Sequence, residues 1–72
     1  MREEINYPDA KFTLVTESEE KTLVLYHANG GFSVALNRQF GNEVDFKETV
    51  RSLKSKLQTL NDKIKELKKC VN

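Results

Sequence analysis

His27, Cys70, the carboxylates Glu17, Glu19 and Glu20, and the lysines of the last third of the chain are the side chains here with chemistry to offer. A histidine beside a cysteine or serine would make a nucleophile pair, but His27 has neither nearby in sequence and lies next to a turn. It reads as a sheet-edge residue. Cys70 is the sole cysteine, so it closes no internal disulfide and reads as an inert thiol. One histidine and one cysteine do not furnish a structural zinc set. The three glutamates crowd one loop without the ordered spacing of a calcium site, and read as solvated turn residues. Gly30-Gly31 lacks the G-x-x-x-x-G-K context of a phosphate loop. The sequence therefore nominates no catalytic, cofactor-binding or metal-binding residue, and the expectation is a protein that is not an enzyme.

The lysines are more informative. Residues 1–44 hold four basic and seven acidic side chains, net −3, whereas residues 45–72 hold eight basic and four acidic ones, net +4. Lys54, Lys56, Lys63, Lys65, Lys68 and Lys69 are candidate contacts for a partner or for nucleic-acid phosphates. Arg51 is the only arginine among them, and they flank an apolar stripe on both sides instead of forming one basic face. Tyr26 joins them as a candidate contact.

That stripe is the strongest pattern in the chain. Phe46, Val50, Leu53, Leu57, Leu60, Ile64, Leu67 and Val71 recur at steps of four and three. With Phe46 at heptad position d, mostly β-branched residues occupy a and mostly leucine occupies d, the preference of two-stranded coiled coils. The spacing predicts a helix over 46–70, capped by Asp45 with Glu48 three residues on. Lys68 and Lys69 suit its C-terminal dipole.

Ahead of it, three runs alternate with period two, at about 11–16, 22–28 and 32–38. Asn29-Gly30 is a strong type I′ hairpin signal, and a two-residue turn there sets Leu25 against Val34 and Leu23 against Leu36. A loop over 17–20 sets Leu14 against Leu23 and Phe12 against Leu25. Both registers gather Phe12, Leu14, Leu23, Leu25, Phe32, Val34 and Leu36 on one face. Val15, Val24, Tyr26 and Ala35 fall on the other, and Phe40 stays unassigned. Residues 1–9, with Pro8, read as a flexible N-terminal arm. The fold class expected is α+β: a three-stranded antiparallel meander followed by one long C-terminal amphipathic helix, β-β-β-α, in a single domain over 10–72.

A 25-residue helix is about 38 Å long at about 1.5 Å per residue, and a seven-residue strand about 23 Å. The helix should overhang the sheet by about 15 Å, and a chain this small usually needs a staple beyond its own core. The expectation is a homodimer with Leu53, Leu57, Leu60, Ile64, Leu67 and Val71 at the interface. The lysines beside the stripe would repel in a plain zipper and instead suit an acidic neighbour. The apolar runs are too short to span a membrane, and no secretory leader is visible, so a cytoplasmic setting is expected. The function expected is a homodimeric protein-interaction protein that modulates a larger machine, as small phage adaptors and inhibitors do. Its partners would be a second copy and another macromolecule, protein before nucleic acid. The alternative is a dimeric nucleic-acid-binding or regulatory protein using the lysine-rich helix.

Overall fold

A computed structural model describes residues 1–28 and 31–70, with only the backbone of residues 32 and 70. The fold is α+β: four antiparallel strands in sequential order, then one C-terminal helix. The strands are β1 (Arg2–Tyr7), β2 (Phe12–Glu17), β3 (Thr22–Ala28) and β4 (Phe32–Gln39), and the helix is α1 (Glu43–Cys70).

Strand β1 corrects the expected three-stranded sheet, because most of the nine residues taken for an arm pair with β2 from Arg2↔Glu17 to Tyr7↔Phe12. Its apolar content is low, but Ile5 packs on the core and Tyr7 is buried within it. Pro8 ends the strand rather than preventing it, consistent with the missing N–H of proline.

Both of the first two hairpins turn through four residues, 8–11 and 18–21, and each loop ends on a lysine with positive φ, 62° at Lys11 and 55° at Lys21. The carbonyls of these lysines accept from Ala28 N–H at 2.8 Å and Phe40 N–H at 2.9 Å, which ties each loop to the far end of another strand. Lys21 cannot lie in a strand with that backbone, so the loop begins at Ser18 and Glu17 pairs with Thr22. Leu14 therefore faces Leu25, and Phe12 faces His27. This differs from the expected pairing by two residues, and a shift of two leaves every side chain on its expected face. A non-glycine residue in the left-handed region costs about 1–2 kcal/mol, while glycine adds about 0.5–1 kcal/mol of backbone entropy. Lys11→Gly and Lys21→Gly are each expected to stabilise by up to about 1 kcal/mol, read as a higher urea midpoint.

The third hairpin departs further. The type I′ turn expected at Asn29-Gly30 lies outside the described residues, but Ala28 pairs with Phe32, so three residues separate the strands. Gly31 has φ +145°, a backbone region that favours glycine. This register is odd by one relative to a two-residue turn, and it sets Val34 opposite Tyr26 on the outer face. The register then shifts between Leu25 and Tyr26, leaving Ala35 over and returning Leu36 to a place opposite Leu25. A bulge of this kind lets one strand carry two faces in succession. Val34 is thus turned outward and 57% exposed, whereas Leu36 keeps its expected face and is still 39% exposed, where both were expected in the core.

The core is Tyr7, Ala10, Leu14, Leu23, Leu25, Phe40, Phe46 and Leu57, with Ile5, Phe12, Val50, Leu53 and Ile64 packed against it. Phe40 and Phe46 meet edge to face at 5.8 Å, closing the end where chain passes from sheet to helix. The helix starts three residues earlier than expected, at Glu43. Asn42, not Asp45, is the cap: its Oδ1 accepts from Asp45 N–H at 2.8 Å, and its Nδ2 donates to Asp45 Oδ2 at 3.0 Å. The first bond is the N-cap half of a capping box, while the Asp45 carboxylate answers the Asn42 side-chain amide instead of its backbone N–H.

Candidate interaction surface

Helix α1 lies on one sheet face, and the side of the stripe it buries differs from a symmetric a/d seam. Phe46, Leu57 and Asn61 are buried, and Val50, Leu53, Lys54 and Ile64 are half-buried. The sheet has taken position a at Val50, Leu57 and Ile64, position d only at Phe46 and Leu53, and position e at Lys54 and Asn61. Position e supplies the clamp: Asn61, 8% exposed, accepts on Oδ1 from Asp9 N–H at 2.8 Å and from Ala10 N–H at 2.9 Å. Lys54 pairs with Glu3 on β1, and Lys68 with Asp9 at 3.4 Å. One flank of the helix is thus closed by hydrogen bonds and ion pairs to β1 and the turn after it.

The opposite flank is open. Leu60 is 41% and Leu67 64% exposed. Between this flank and β4 runs a groove of about 280 Å³ lined by Leu36, Glu48, Thr49, Ser52, Leu53 and Lys56. Every described side chain of β4 is exposed, because the helix leans toward β1. Leu60 and Leu67 therefore stand open on the flank where an interface was expected, while Leu53 lines the groove and packs partly against the core. Leu57 does not: at 5% exposure it belongs to the molecule's own core, and Ile64 packs against that core. Val71 lies outside the described residues. Among the lysines expected to meet a partner, Lys54 and Lys68 are engaged by the chain's own acids, while Lys56, Lys63, Lys65 and Lys69 are exposed.

The outer sheet face carries a second surface. Val15 pairs with Val24, and Tyr26 with Val34, so four apolar side chains adjoin across three strands. A shallow depression of about 400 Å³ is lined by Arg2, Val15, Glu17, Glu19, Glu20, Thr22, Val24 and Tyr26. A neighbouring one of about 250 Å³ shares Arg2, Val15 and Tyr26 and adds Glu4 and Thr13. The rim is acidic. Glu17 is held below the usual glutamate range, first by the hydrogen bond it accepts from the Met1 ammonium at 2.7 Å and then by the Glu19 backbone N–H. On the helix side, burial raises the Tyr7 phenol above its ordinary value.

The residues with catalytic types are dispersed. His27 stacks on Phe12, ring centroids 4.8 Å apart and planes at 37°. The side chain of Cys70 lies outside the described residues. Among the described residues, no three His, Cys, Asp or Glu side chains converge as metal ligands would, and no buried side-chain polar atom lacks a hydrogen bond. No described helix is long and apolar enough to cross a membrane. Sequence reasoning missed Asn61, because asparagine at a flanking heptad position looks solvated until the turn it caps is placed beneath it. It missed Glu3 and Asp9 for the same reason. Compared with protein-family models, curated proteins and solved structures, the chain matches none of them.

Proposed function

We propose that this is a non-enzymatic protein-interaction protein that pairs with a second copy of itself through the open flank of α1, and in that form binds and modulates a larger protein. One observation carries the reading: Leu60 and Leu67, 41% and 64% exposed, stand on the open flank of α1, which nearer the helix start is separated by a groove from Leu36 of β4, 39% exposed, while the other flank is sealed by Asn61, Lys54 and Lys68. Leucines on such a flank suit burial by another chain more than contact with water. The nucleic-acid alternative has less to draw on, since two of its six lysines already neutralise Glu3 and Asp9.

Sedimentation equilibrium at micromolar concentration tests the pairing. The expected mass is about twice the 8.3 kDa of one chain, and a single species at 8.3 kDa overturns the reading. Leu60→Ser combined with Leu67→Ser is expected to give the monomer mass with helix content retained, because both side chains lie outside the monomer's own core.

A further inference from the structure

The lysines at position g, Lys56 and Lys63, border the open leucines. In a symmetric parallel helix-to-helix seam Lys63 would meet Lys68 of the second copy and Lys56 would meet its Asn61. No opposite charge answers either lysine, which disfavours that pairing. On its closed flank the molecule shows how the same chemistry is satisfied: apolar residues lie on a sheet face, and Lys54 and Lys68 reach acids at the sheet's border. The open flank asks for the same kind of surface, an apolar sheet face with an acidic rim. The molecule has one such surface uncovered by its own helix, the outer face with Val15, Val24, Tyr26 and Val34, rimmed by Glu4, Glu17, Glu19 and Glu20. Two cations stand against these acids: Arg2, 3.5 Å from Glu4, and the Met1 ammonium, 2.7 Å from Glu17 and 4.0 Å from Glu19. Acids therefore outnumber bases on the rim, and Glu20 is exposed.

We infer that the occupant of this outer sheet face is the C-terminal part of α1 from a second copy, leucines on the valines and tyrosine, lysines toward the glutamates. The inference rests on the self-pairing proposed above and names the surface it uses. Reach permits it. Asn61 docks at the turn that ends the sheet, and residues 62–70 continue for about 14 Å at about 1.5 Å per residue. Two copies related by a two-fold axis can exchange these ends, so the contact is made twice and closes, where a one-way contact would propagate into filaments. Each sheet then carries a helix on both faces, its own toward the β1 side and its partner's on the outer face.

Charge reversal tests the arrangement, because Glu4, Glu19, Glu20, Lys56 and Lys63 are all exposed and their replacement leaves the core untouched. The helix variant carries Lys56→Glu and Lys63→Glu; the sheet variant carries Glu4→Lys, Glu19→Lys and Glu20→Lys. Each alone sets like charges against one another and is expected to weaken association at least about tenfold, with circular dichroism verifying the fold. An equimolar mixture restores opposite charges at both contacts and is expected to recover the dimer mass. At about 1 M salt, where the screening length falls to about 3 Å, the differences between variants should shrink. A sheet variant that pairs as tightly as the unaltered chain overturns the inference and leaves the self-pairing through α1 standing. An unaltered chain that stays at 8.3 kDa removes both.

Discussion

Asn61→Ala is expected to destabilise the protein by about 2–4 kcal/mol, read as a lower urea midpoint with the slope unchanged. The reason is geometric. One oxygen accepts two backbone N–H groups, from Asp9 and Ala10, and Ala10 is itself buried. Removing the acceptor leaves donors that water reaches poorly, and each such orphan costs about 1–3 kcal/mol. A domain of this size commonly holds only about 3–5 kcal/mol from its core, so the loss is a large share of the total. Asn61→Asp keeps an acceptor at the same place and is expected to retain more stability than alanine. Equal loss in the two variants would show that the side chain acts by packing alone. Amide exchange supplies a local readout: Asp9 and Ala10 should lose protection in the alanine variant before the centre of β3 does.

Leu23→Ala is expected to cost about 2–5 kcal/mol and leave the chain largely unfolded at 25 °C. Leu23 is fully buried, at the side of Leu14 and Leu25 in the core. It lies on a central strand, paired to Thr16 on one side and Arg38 on the other, so the sheet cannot easily collapse into the vacated space. Leu36→Ala gives the contrast. That side chain sits on the same face of the sheet yet is 39% exposed, and its removal should cost the isolated chain less than half as much. Similar losses at the two positions, measured in the monomer, would mean that the helix covers β4 more fully than the structure places it.

The two surfaces differ in what they demand of the fold. Those on the closed side of α1 hold the monomer together, through the Asn61 clamp and the Lys54–Glu3 and Lys68–Asp9 pairs. Exposed ion pairs contribute about 0–1 kcal/mol each, so the hydrogen bonds of Asn61 and the buried apolar groups carry most of the docking energy. Residues on the open side contribute little to that docking, which lets them be altered to probe association without unfolding the protein.

Local pattern alone determined a good deal. Helix α1 was legible because i, i+3 and i+4 periodicity needs no knowledge of the rest of the chain, and three of the four strands were legible from period-two alternation. The faces of Leu14, Leu23 and Leu25 also followed, since the hairpin register slipped by two and parity was kept. The edge strand β1 was not legible: Arg2-Glu3-Glu4-Ile5-Asn6-Tyr7 has two apolar residues, and its place depends on contacts of Glu3 and Asp9 with Lys54, Asn61 and Lys68, each more than fifty residues away along the chain. The fate of Val34 turned on one extra residue in the last hairpin, since a one-residue change inverts every face it reaches, while the bulge at Ala35 returned Leu36 to its expected face and the lean of the helix toward β1 left it exposed. Which half of the leucine stripe meets the sheet was likewise a tertiary decision. A heptad repeat marks a band about the helix, but rotation of the helix about its own axis is set by what the far side of the chain offers to hydrogen-bond, and here that was the turn capped by Asn61.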